Sequence, residues 1–60
     1  MKIGDRVKVQ QQNQRGFPQW EETGIEGTVL QIVGGTVLLD VDGVREWRHI
    51  ENNFERVVTA

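Results

Sequence analysis

The sequence predicts an all-β fold: one small five-stranded barrel, residues 1–60, with a single short helical turn before the last strand. Three observations lead there. Seven Gly, one Pro and abundant Val favour strands and turns over helices. No stretch carries apolar residues at helical spacing over successive turns. Short alternating runs separated by turn residues recur along the chain at the spacing of a small closed barrel.

The first strand is Asp5 to Gln10, where Val7 and Val9 alternate with Arg6, Lys8 and Gln10. A polar loop, Gln11 to Thr23, follows and is interrupted by Phe17, Pro18 and Trp20. Ile25 to Val33 is the second strand. Gly27 inside it marks a bend or a close backbone approach. Gly34-Gly35 is a two-residue hairpin signal, and Thr36 to Asp42 forms the third strand with Val37, Leu39 and Val41 on one face.

Asp42-Gly43 marks the next hairpin, and its register decides where Trp47 points. A two-residue turn pairs Leu39 with Glu46 and Val37 with Arg48, placing two charges on the core face. A three-residue loop, Asp42 to Val44, pairs Leu39 with Trp47 and Val37 with His49. The second register is the one expected, with Trp47 inward and Glu46 and Arg48 outward. Glu51, Asn52 and Asn53 then supply the helical turn, and Phe54 to Val58 closes the sheet.

A domain of this size buries only about 60% of its unfolded surface, so it needs nearly all its apolar side chains inside. With no Cys, neither a disulfide nor a thiolate metal site can reinforce it. The net charge of −2 and pI near 5.2 argue against a duplex-DNA binder. No apolar run has the length of a membrane helix, and no signal-peptide core follows Met1. The expectation is a cytoplasmic protein without a membrane segment.

The opening Ile3-Gly4-Asp5-Arg6-Val7-Lys8-Val9, then Gly24-Ile25-Glu26-Gly27-Thr28-Val29, then the closing Phe54-Glu55-Arg56-Val57, resemble the KOW and SH3-like small barrels. Those occur in transcription elongation factors and ribosomal proteins. The outline is also similar to the photosynthetic accessory barrels, namely the variable chain of ferredoxin–thioredoxin reductase and the small accessory barrel of photosystem I. Leu38 to Val57 aligns with the last two strands of the reductase chain without a gap. The histidine-rich first loop of that chain has no counterpart here, and the connection at Gly34-Gly35 is much shorter. The first resemblance implies binding to RNA or protein, the second docking on a protein; such motifs encode turns and core positions more than function.

Arg15, Phe17 and Trp20 lie in the longest loop, where aromatics beside an arginine make a recognition surface. The competing reading is that Phe17 or Trp20 folds back to plug the barrel. Arg45, Arg48 and His49 form the densest positive cluster, suited to carboxylates or phosphates. Balance by Glu46, Glu51 and Asp40 would make it an ordinary solvated edge.

His49 is the lone histidine and a poor basis for a metal site. The absence of Cys, Ser and Tyr removes the usual nucleophiles. Asp40 and Asp42 share a strand face, but a turn function suffices for them. An active site formed in the pore of an oligomer, as in plasmid-borne dihydrofolate reductases, lacks its Val-Gln-Ile-Tyr motif here.

The chain is therefore expected to be a non-enzymatic accessory or regulatory module without cofactor or metal. It would dock on a protein partner through Arg15, Phe17, Trp20, Arg45 and Arg48. RNA binding of the KOW kind is the alternative, and homo-oligomer formation through strand edges a third class.

Overall fold

The computed structural model describes residues 1–13 and 19–60. It is all-β: β1 (Arg6–Asn13), β2 (Gln19–Val33), β3 (Thr36–Val41), β4 (Val44–His49) and β5 (Glu55–Thr59). They form one antiparallel sheet in the order β4-β3-β2-β1-β5, so the last strand returns to pair with the first.

Alternation within the strands puts Val7, Val9, Val29, Val37, Leu39 and Val57 on the inner face, each 5% exposed or less. Ile25, Ile32, Val41 and Ile50 pack around them. Gly27, opposite Val7, supplies the close approach expected of it. A Cβ there would stand 2.8 Å from the Asp40 carbonyl oxygen.

The segment expected as a loop from Gln11 to Thr23 is largely strand. β1 continues to Asn13 and β2 begins at Gln19, with Gln10, Gln11, Gln12 and Asn13 opposite Glu22, Glu21, Trp20 and Gln19. Cross-strand polar bonds replace apolar packing in this arm: Gln10 Nε2 donates to Glu22 Oε1 at 2.7 Å and Asn13 Nδ2 to Glu21 Oε1 at 2.8 Å. Alternation of apolar and polar residues is missing where neither face is buried, which is why the arm reads as loop. Below it β2 bulges. Thr23 Oγ1 donates to the Val9 carbonyl at 2.8 Å and accepts from the Ile25 amide at 3.2 Å.

The β3–β4 register is the one the sequence argued against. Val41 pairs with Val44, Leu39 with Glu46, Leu38 with Trp47 and Val37 with Arg48. Asp42 and Gly43 both take positive φ, 53° and 83°, the signature of a two-residue hairpin turn of mirror-image type. The Gly43 amide donates to Asp40 Oδ1 at 2.8 Å. Two charges fit on the inner face because they neutralise one another. Arg48 Nε donates to Glu46 Oε1 and its terminal Nη1 to Glu55 Oε2, each at 2.8 Å. Trp47 accordingly points outward, 54% exposed.

The helical turn expected at Glu51 to Asn53 is absent. Asn52 Oδ1 instead accepts from the amides of Phe54 and Glu55, both at 2.8 Å, a side-chain-closed turn. The sheet is also not closed, contrary to the expected barrel: among the described residues no ladder joins β4 to β5. The linker between them occupies that position. Ile50 donates its amide to the Gly35 carbonyl and accepts from Val57, both at 2.8 Å, and Glu51 bridges to Arg56. With the Arg48–Glu55 pair, these contacts draw the two outer edges of the sheet together.

Candidate docking surface

Strand parity divides the expected site residues between two faces. Arg15 and Phe17 lie outside the described residues. Trp20, opposite Gln12, stands on the outer face, so it does not fold back onto the core as the plug reading expected. β5 lies antiparallel on β1 with Arg56 opposite Gln10. This brings the Arg56 guanidinium carbon to 4.4 Å from the Trp20 ring centroid.

Arg56 Nε also donates to Gln10 Oε1 at 2.7 Å, and Lys8 Nζ lies 3.2 Å from Glu22 Oε1. The Gln10 amide holds the Glu22 carboxyl below its ordinary value against the opposing effect of burial, with Lys8 and Arg56 assisting. Trp20 is therefore half-buried at one end of a connected polar array.

Arg48 lies on the inner face, with side-chain exposure of 21% against 34% and 27% for Glu46 and Glu55. The Glu46 hydrogen bond, opposed by burial and helped by Glu55, raises its pKa further above the ordinary arginine value. Two of its three guanidinium nitrogens are thus directed at carboxylates within the fold.

Arg45 belongs to the opposite, outer face with Trp47 and His49. Across from these three on β3 stand Asp40, Leu38 and Thr36. Asp40 directs a carboxylate oxygen at the Gly43 amide, and among the described residues Arg45 makes no ion pair. The structure therefore joins Arg45 to Trp47 and half-buried Leu38. It does not join Arg45 to Arg48, nor to Trp20, which lies beyond β3 in the part of β2 that β3 does not pair. Trp47 and Leu38 escape a sequence reading built on the longer turn. Arg56 becomes legible only through the pairing of β5 on β1.

A cleft of about 350 Å³ opens beside the β2 bulge, lined by Arg6, Gly24, Ile25, Glu26, Val41 and Asp42. Arg6 and Glu26 stand 3.7 Å apart across it. Among the described residues no cluster of His, Cys, Asp or Glu is arranged to hold a metal ion, and no helix is long and apolar enough to cross a membrane. In comparisons with known proteins the chain matches no family model, no curated protein and no solved structure.

Proposed function

We propose that the chain is a non-catalytic binding module of the SH3-like kind, an accessory or regulatory subunit that docks on a protein partner through the outer face of β3 and β4. The observation that carries this reading is Trp47. The chain buries five valines and one leucine as its core, yet leaves its largest type of side chain 54% exposed beside Leu38 and Arg45, which makes no ion pair among the described residues. Covering the exposed half of a tryptophan is worth roughly 2 kcal/mol. Tryptophan and arginine are also the residues that concentrate binding energy once water is excluded.

Support for the SH3-like class comes from five antiparallel strands, the last returned to the first and the outer edges drawn together by the linker. Kinship with the KOW and photosynthetic accessory barrels belongs to the same proposal. Within it, the segment containing Arg15, Phe17 and Trp20 is a separate, secondary contact. Arg48 is reserved for the fold.

The test compares three immobilised baits in host lysate, with and without nuclease: the native chain, Trp47→Ala and Trp20→Ala. A protein retained by the native chain and by Trp20→Ala, lost on Trp47→Ala and indifferent to nuclease, is the expected result. Retention by all three baits counts against the surface. Loss on nuclease treatment, with affinity falling steeply as salt rises, would replace the protein partner by RNA stacked on Trp47 and held by Arg45.

A further inference from the structure

β4 is an edge strand, and the hairpin geometry fixes which of its backbone groups are spare. In a two-residue hairpin the residues flanking the turn form a hydrogen-bonded pair, and such pairs recur at every second position. Val44, Glu46 and Arg48 therefore direct their amides and carbonyls at β3, where they face Val41, Leu39 and Val37. Arg45, Trp47 and His49 direct theirs away from the sheet. Among the described residues no strand pairs on that side of β4, and the amides of Arg45 and Trp47 have no acceptor there. A row of spare groups on an edge is a template for another strand.

We propose that this edge pairs with the same edge of a second copy, antiparallel about a two-fold axis at Trp47. The side chains select both the occupant and the register. A symmetric antiparallel pair must set some residue of β4 opposite itself. Centring on Arg45 or Arg48 opposes two arginines, and centring on Glu46 opposes two glutamates, each a like-charge contact. Centring on Val44 or His49 leaves only an end of the strand to pair.

Centring on Trp47 sets Glu46 of each copy across from the other's Arg48 on the inner face, so unlike charges are neighbours there while each Arg48 keeps its own Glu46 and Glu55. On the outer face the two Trp47 side chains become neighbours across a hydrogen-bonded pair, with Cα atoms about 5.5 Å apart. The spare amides and carbonyls of Arg45, Trp47 and His49 then all find partners.

This pairing stands apart from the docking reading, since it needs only the chain itself. It would also present two Trp47 faces side by side to any partner. Sedimentation equilibrium of the purified full chain, from micromolar to millimolar concentration, tests it together with amide hydrogen exchange at both extremes.

The expected result is an apparent mass that doubles with concentration. Protection at the Arg45, Trp47 and His49 amides should rise in step, while protection at Glu46 and Arg48 stays constant. Trp47→Lys, an exposed change that sets two cations on the axis, should keep the circular dichroism of the native chain and remain monomeric. Trp47→Phe should still dimerise. A monomer at every concentration overturns the proposal. So does a dimer that persists in Trp47→Lys, or one that protects amides elsewhere and leaves Arg45 and Trp47 exchanging freely.

Discussion

Two tryptophans stand on the outer face of one sheet, and the fold uses them differently. Trp20 is covered by Arg56, which is fixed by Gln10, which in turn holds Glu22 beside Lys8. Trp47 has Leu38 across from it and, one residue pair away, an arginine that among the described residues has no carboxylate in ion-pair reach. A tryptophan already provided with a cation and a polar surround stabilises the chain and offers less to anything outside. A bare one contributes little to folding and keeps its free energy of burial for a partner. What separates them is the neighbouring strand: β5 delivers Arg56 to Trp20, while β4, at the edge of the described sheet, has no further strand to deliver anything to Trp47.

The harshest way to break the comparison is to remove the platform both side chains share. Leu39 is fully buried between Val29 of β2 and Glu46 of β4. Leu39→Ala should cost about 2–5 kcal/mol, which is comparable with the whole stability of a domain this small. Circular dichroism should show a largely unfolded chain at room temperature, with the emission of both tryptophans red-shifted together. Native-like emission from Trp20 alone would mean that the arm and β5 fold independently of the rest.

Arg48→Ala strikes next, at the seam. It leaves the half-buried Glu46 and Glu55 carboxylates without their shared donor, and charge-assisted hydrogen bonds contribute roughly 2 kcal/mol. The urea midpoint should fall accordingly, with amide exchange fastest near Ile50 and Val57. Exchange confined to β3 would place the seam elsewhere.

The comparison itself is tested by a pair of milder changes. Arg56→Ala should lower stability by about 0.5–1 kcal/mol through the lost ring contact and red-shift Trp20. Arg45→Ala should leave stability within about 0.5 kcal/mol and leave Trp47 emission where it is. Equal effects from the two arginines would erase the distinction.

The inner face is legible in the sequence because alternation survives wherever one face is buried: Val7, Val9, Val37 and Leu39 all lie where period-two reading puts them. The arm is not legible, since Gln10, Gln11 and Gln12 present polar side chains to both faces and leave no periodic signal. The β4 register escapes for a different reason. Taken singly, Glu46 and Arg48 are charges in a core, whereas the fold sets them against each other and against Glu55, a residue from the far edge of the sheet. No local pattern announces such a three-cornered arrangement. Because Trp47 faces outward only in that register, misplacing the two charges hides the candidate surface as well.

The smallest expected effect is the most specific to one tryptophan. The Glu22 carboxyl is held below its ordinary value of 4.5, chiefly by the Gln10 amide. A group whose pKa is depressed by folding adds stability that is present above its unfolded value and is lost as pH falls through the folded one. Acidification from pH 4.5 downward should therefore protonate Glu22, release Gln10 and loosen Arg56 over the Trp20 ring. Because Glu22 is exposed, salt should weaken the Lys8 contribution without abolishing that of the Gln10 hydrogen bond.

Indole resonances followed by NMR through this range should move for Trp20 and stay still for Trp47, which has no such array around it. Glu22→Gln should flatten the Trp20 titration while leaving the native fold in place. A Trp47 resonance that titrates together with Trp20 would show that the two ends of the outer face are coupled, and the contrast between them would then be one of degree.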